Sequence, residues 1–328
     1  MMDISIPYYE DKNRISNSNI GWFLNKGPAY LHKMLTEDIP EEKNSVLERG
    51  TMIHEYLLQP EEFQKDYVIW NKSRPLTAQQ EKFCQELAFT TEIEPNKALQ
   101  SAYKASYATK RLTDQTVLEK ATQLKNELSD YIEYLKANDE RKPISMWDYK
   151  MLSTIKDNIE SHKLAKQLLS TNVKLSERKE IHHEFHINWE LLGVRCKSLL
   201  DSITFDYEKK LCIIMDLKTT QKLWHFEESM NMYDYCRQLM YYTLAAQWYL
   251  VNEKNEDIEK WRFEWYIIGI DTTGTYDIRV FKFTEEQVDE RYTTIANALL
   301  EIKWHQQNNK WDHSREYYDG NGAEKLYL

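Results

Sequence analysis

Three carboxylates and a lysine stand where strand-like runs call for apolar residues. Asp216 closes the run Leu211-Cys-Ile-Ile-Met-Asp216, a place where a buried strand ordinarily carries Val or Ile. A carboxylate there is costly unless a cation or hydrogen bonds compensate it. Asp201 occupies the preceding run, from Val194 to Ile203, and Glu184 the one before, from Ile181 to Trp189. Lys218 follows Asp216 by two residues, which on a strand puts both on one face. Paired carboxylates offer the hard oxygen ligands that Mg²⁺ prefers. A lysine beside them can meet the charge that develops in phosphoryl transfer. An Asp-x-Lys by itself is a common surface pattern. The ordered set Glu184, Asp201, Asp216, Lys218, Gln238 and Tyr242 is what points to a site.

The elements that must position these residues can be read from pattern. The three runs are short, rich in β-branched and aromatic residues, and separated by turns at Gly193 and at 206–210, so they read as consecutive antiparallel strands. Alternation then places Arg195, Lys197 and Asp201 on one face. Asn231 to Leu250 reads as a helix with Gln238, Tyr241, Tyr242 and Ala245 along one stripe. Upstream, residues 45–58 read as a helix in which Gly50 and His54, four apart, share a face. A glycine inside a helix costs about 1 kcal/mol relative to alanine, so close approach by another element is expected there. A helical histidine taken alone is more often structural. Thr77 to Ala88, Asn96 to Ala108, Thr113 to Leu135 and Ser145 to Leu169 show helical spacing, punctuated by Pro75, Pro95 and Pro143. Trp261 to Ile270 and Tyr276 to Phe283 read as a closing hairpin, followed by a helix from Thr284 to about Gln306 and a polar, loosely held tail.

Leu200-Asp201, Asp216-Leu-Lys-Thr-Thr220, Gln238-Leu-Met-Tyr-Tyr242 and the upstream Gly50-Thr-Met-Ile-His54 together resemble the PD-(D/E)xK nuclease superfamily in its RecB-like branch. Within that branch they are most similar to phage-type exodeoxyribonuclease VIII (RecE-like) nuclease domains, over roughly residues 1–305. Leu200 departs from the superfamily's proline, and no basic residue directly precedes Leu200-Asp201, where Arg195 or Lys197 would substitute. The resemblance implies an α/β fold: a restriction-endonuclease-like mixed sheet of about five strands flanked by helices. It also implies Mg²⁺, with Mn²⁺ as a substitute, ligated by Asp201, Asp216, the Leu217 carbonyl and His54. Lys218 would act on the water and the developing charge, Glu184 on a second metal or an outer water, and Gln238 and Tyr242 would orient the site. Arg195 and Lys197 would contact phosphates. The expected organisation is one nuclease domain over 1–310 with a helical insertion at 61–180, the catalytic sheet and helix at 181–283, and a tail at 311–328.

The function so implied is exonucleolytic hydrolysis at linear double-stranded DNA ends, 5′ to 3′, in phage-type recombination. The alternatives are a structure-specific or single-strand nuclease with the same core, or a DNA-end binding module without catalysis. A single-strand annealing protein is the implied partner, and a homo-oligomeric ring the implied assembly.

Composition bounds these readings. The four cysteines, at 84, 196, 212 and 236, form no CxxC, which argues against a disulfide framework or an iron–sulfur cluster. Neither a leader-like segment nor a bilayer-length apolar run is apparent, so a cytoplasmic protein without a membrane role is expected. The net charge of −10 is unusual for a protein that must meet phosphates, yet residues 96–180 carry sixteen Lys and Arg against twelve Asp and Glu. DNA would then be held by a local basic groove, and bound cations would offset part of the acidity.

Overall fold

The computed structural model describes residues 7–37, 45–72, 75–170 and 178–324. The chain divides into two compact units, Met1–Pro60 with Leu152–Leu328, and Glu61–Met151.

In the first unit, helix α1 (Asn17–Thr36) starts where the Ser16 side chain accepts from the Asn19 amide, and the Asn19 side chain accepts in return from the Ser16 amide. That reciprocal cap satisfies amides with no partner inside the helix. Gly27, at φ 82°, kinks α1 just before Pro28 and divides it into two helical segments. Helix α2 (Ser45–Leu58) carries Gly50 and His54.

The second unit is built by itself. After α3 (Pro60–Asp66) and strand β1 (Tyr67–Trp70) come α4 (Ala78–Ala88), α5 (Pro95–Ser106), α6 (Asp114–Glu127), α7 (Ser129–Lys136) and strand β2 (Lys142–Ser145), which pairs with β1 in parallel. Phe83, Cys84, Leu99, Ala102, Val117, Ala121 and Ile132 close a separate core. The single helix expected over 113–135 breaks at Leu128, which leaves helical geometry at ψ 16° without a proline or glycine to announce it.

The expected insertion over 61–180 is shorter as a compact unit. It ends at Met151, inside α8 (Met146–Ser161), and the chain from Leu152 onward belongs to the first unit. A break at His162, whose Nδ1 accepts from the Ala165 amide, separates α8 from α9 (Lys163–Leu168).

The main sheet comes next: β3 (Lys179–Leu191), β4 (Val194–Asp206), β5 (Leu211–Thr220), β6 (Arg262–Asp271) and β7 (Ile278–Phe283), in that spatial order. All neighbours are antiparallel except β5 and β6. A parallel neighbour requires a crossover connection. Helices α10 (Phe226–Tyr233) and α11 (Tyr235–Asn252) supply it. They replace the single helix expected from Asn231, because Asp234 between them is left-handed, at φ 49°. Helix α11 is the spine of the core: Leu239, Tyr241, Ala245, Ala246 and Leu250 are wholly buried among Ile187, Leu200, Phe205 and Ile214 of the sheet. Helices α12 (Glu285–Asp289), α13 (Tyr292–Asn308) and α14 (Arg315–Asp319) complete the unit. The tail is held more firmly than its polar composition suggested: Trp311 stacks on His32 and His305, and Arg315 pairs with Glu301 at 3.3 Å. The first unit is thus the mixed α/β sheet flanked by helices that the sequence implied.

Candidate active site

The site forms where the sheet comes apart. Strands β3 and β4 pair up to His183↔Ser202 and resume at Phe185↔Leu200, leaving Glu184 and Asp201 opposite each other outside the ladder. Strands β4 and β5 pair only as far as Ser202↔Met215, one step short of Asp201 and Asp216. Three carboxylates thus sit level on three adjacent strands at an opening in the hydrogen bonding. The opening leaves backbone groups to be satisfied. The Leu217 amide donates instead to Asp201 Oδ2 at 2.6 Å. The edge of β4 that β5 vacates is taken by Ile15, which exchanges backbone bonds with Arg195 and Lys197 at 2.9 and 2.8 Å.

Glu184 holds a left-handed φ of 48°. Such a conformation costs a non-glycine residue of order 1–3 kcal/mol and tends to persist where function requires it. Here it reverses the alternation of β3: His182 and Phe185, three apart, stack with ring centres 4.3 Å apart.

One cluster faces α11. Asp216, 1 % exposed, has Oδ2 2.5 Å from Lys218 Nζ and Oδ1 accepting from Gln238 Nε2 at 2.9 Å. Gln238 Nε2 also reaches the Tyr242 hydroxyl at 2.9 Å, the i, i+4 pair its helix provides. The Lys218 ammonium lies 5.2 Å from the Tyr235 ring centre, a cation–π contact. Close as it is to Lys218, Asp216 Oδ2 has no aligned hydrogen-bond donor among the described residues. Burial raises the Asp216 carboxyl above its ordinary range, with Lys218 opposing, and the nearby carboxylates hold Lys218 high against its own burial.

A second cluster lies beside it. One ligand atom each from His54, Glu184 and Asp201 fall within 4.8 Å of one another. His54 Nδ1 is 3.6 Å from Asp201 Oδ2. Burial lowers the His54 pKa despite Asp201, which favours the neutral imidazole that a metal needs. Burial first, then the charges of Asp201, Asp216 and Glu55, push Glu184 up to about 8. A cation is the natural remedy for such mutual repulsion. The approach of α2 that brings His54 here is close: a β-carbon on Gly50 would stand 3.4 Å from Thr219 Oγ1.

The model of one protein family, described as a PDDEXK-like domain of unknown function (DUF3799), matches residues 16–319. The chain belongs to this PDDEXK-like family. It is thereby a nuclease domain of the PD-(D/E)xK type, whose members use divalent metals. No curated protein matches the sequence. Among solved structures, a candidate exonuclease from Eubacterium rectale is similar at 14 % identity and a TM-score of 0.49, over 100 % of this chain and 97 % of that one.

The PDDEXK-like domain brings together Asp201, Asp216, Lys218, Glu184, Gln238, Tyr242 and His54. It distributes them over two clusters. Glu184, expected on a second metal or an outer water, stands with His54 and Asp201, while Asp216 is engaged by Lys218 and Gln238, and Leu217 contributes its amide to Asp201. Arg195 and Lys197 do not offer the same thing to a phosphate. Lys197 is 7 % exposed, and its ammonium donates to the Tyr8 and Asp11 carbonyls at 2.5 and 2.6 Å, so it pins the N-terminal segment and is not available to a phosphate. Arg195 is exposed. The sequence reading missed Tyr235, which follows Lys218 only in space; its position one turn before Gln238 was the available signal.

Among the described residues, no helix is long and apolar enough to cross a membrane.

Proposed function

We propose that the protein is a Mg²⁺-dependent exodeoxyribonuclease that hydrolyses linear double-stranded DNA from its ends, 5′ to 3′, in phage-type recombination. The observation that carries the reading is the opening in the ladder. It sets Glu184, Asp201 and Asp216 level, with His54 on one side and Lys218 on the other. The polarity, the preference for ends and an annealing-protein partner rest on the likeness of the motifs to RecE-like domains, as do a ring assembly and a cytoplasmic setting.

The donor set suits a small hard cation: two carboxylates and an imidazole, with no thiolate among them. His54, Glu184 and Asp201 would hold it, with Asp216 and the Leu217 carbonyl adjoining. Such a cation, when bound, lowers the pKa of water and screens phosphate charge. The chain's own groups do the rest. Lys218 holds its ammonium against Asp216, where it can stabilise charge that grows at the phosphate in the transition state. Gln238 fixes the Asp216 carboxylate from behind, and Tyr242 fixes Gln238. Leu217 locks the rotamer of Asp201 through its amide. Arg195, exposed on β4, is a candidate phosphate contact.

The test is digestion of end-labelled linear duplex, with nicked and closed circular duplex alongside, in Mg²⁺ and in excess EDTA. Mg²⁺-dependent release of nucleotides from the linear substrate alone is expected, starting from the 5′ end. Cleavage of the closed circle would replace this reading with a structure-specific nuclease. Binding to ends without cleavage in any divalent metal would replace it with a non-catalytic module.

A further inference from the structure

An aromatic stack leads from solvent to the Lys218 ammonium. Tyr233, the last residue of α10, is 60 % exposed. Its ring stacks on Tyr235 with centres 5.8 Å apart and planes 20° apart, and the Tyr235 ring in turn meets Lys218 Nζ at 5.2 Å. Tyr235 is backed by Phe226 at 5.8 Å, and Phe226 by Phe281 at 4.7 Å, so the mount is part of the core. The link between Tyr233 and Tyr235 is Asp234, left-handed at φ 49°. Its carboxylate accepts from Arg291 Nε at 2.8 Å and from the Arg237 amide at 3.3 Å. A non-glycine residue keeps that backbone only where its surroundings impose it. Tyr233 is therefore presented on a fixed turn.

Single exposed aromatics are ordinary on protein surfaces. This one differs in being rigidly mounted two ring contacts from the lysine beside Asp216. A fixed aromatic face loses little conformational freedom on binding, and every nucleobase has a face to offer it. We propose that Tyr233 is a specificity-determining residue: a platform on which the unpaired terminal base next to the scissile phosphate stacks, so that the enzyme engages a frayed or single-stranded end. This rests on the nuclease reading above and names the form of DNA end that the site accepts.

The probes are short oligonucleotides with 2-aminopurine as the terminal base, at the 5′ or the 3′ end, single-stranded or fully paired, bound to the whole protein in Ca²⁺. With wild-type protein, stacking should quench the 2-aminopurine of one single-stranded probe. Tyr233→Ala should abolish the quenching and weaken binding about tenfold or more, the usual effect of losing one base–aromatic stack. Tyr233→Phe should restore both. Because Tyr233 is exposed, circular dichroism and thermal melting of Tyr233→Ala should match wild type. Unchanged affinity and quenching in Tyr233→Ala, with wild type cleaving DNA in Mg²⁺, overturns the platform and leaves the nuclease reading standing. Quenching lost in Tyr233→Ala while wild type cleaves nothing in any metal overturns the nuclease reading instead. A wild-type protein that binds none of the probes overturns both.

Discussion

The two halves of the site are built on opposite principles. Asp216, Lys218, Gln238 and Tyr242 form a closed network, each member held by the next at 2.5–2.9 Å. His54, Glu184 and Asp201 converge within 4.8 Å but are held mainly from outside: Asp201 by the Leu217 amide, Glu184 by its strained backbone, His54 by the packing of α2. The geometry of the closed half is fixed in advance by its own contacts, with Asp216 Oδ2 left without an aligned donor among the described residues. The open half collects groups that repel one another or lose hydration by burial, costs that a cation would offset. The contrast supports the proposed division of labour, in which the open half would recruit a cation and the closed half would place Lys218.

Removing a ligand of the open half should have the largest effect. Asp201→Ala also orphans the Leu217 amide, and it should abolish both Mn²⁺ binding and cleavage. An Asp201→Ala protein with wild-type Mn²⁺ affinity would move the cation to other residues. Next comes Lys218→Ala, expected to slow single-turnover cleavage by about 10²–10³-fold, the loss typical of one electrostatic donor. Its Mn²⁺ affinity should survive, because no carboxylate is removed. Cleavage at the wild-type rate would mean that Asp216-Leu-Lys218 is not the catalytic motif.

These two variants also test what was legible in advance. Asp216, Lys218, Gln238 and Tyr242 are close in sequence and lie on a strand and a helix with strong periodicity, so their meeting could be anticipated. His54 needed the family likeness, since over a hundred residues of chain separate it from the strands. The strand and helix pattern gave the sheet. It did not give the opening in the ladder, because strict alternation cannot register a left-handed Glu184. Nor could alternation along β4 show that the Lys197 ammonium is spent on the Tyr8 and Asp11 carbonyls. The helix break at Asp234 escaped because an aspartate, not a glycine, takes the left-handed position.

A smaller effect is expected from Gln238→Ala, which leaves the charges intact and loosens Asp216. Removing such a supporting partner typically costs about 10–100-fold in activity, here in single-turnover rate with Mn²⁺ affinity nearly unchanged. An equal loss of Mn²⁺ affinity would erase the boundary between the halves.

The smallest effect is on stability. Glu184 is raised from 4.5 to about 8 by the fold. Its protonated form is thus favoured in the native state; the stability so contributed is complete below about pH 4.5 and is lost as pH rises through about 8. The metal-free protein should melt progressively lower over that window. Added Mg²⁺ should recover more at about pH 9 than at about pH 6, because it binds the deprotonated carboxylate. Equal metal-induced shifts at both pH values would contradict the placing of Glu184 in the open half.

The central claim is that the cation sits between His54, Glu184 and Asp201. Electron spin-echo spectroscopy of the Mn²⁺-loaded wild-type protein tests it most directly. The account predicts the nitrogen modulation of one directly bound imidazole, lost in His54→Ala. A Mn²⁺ signal without nitrogen coupling, or a coupling that persists in His54→Ala, would contradict it.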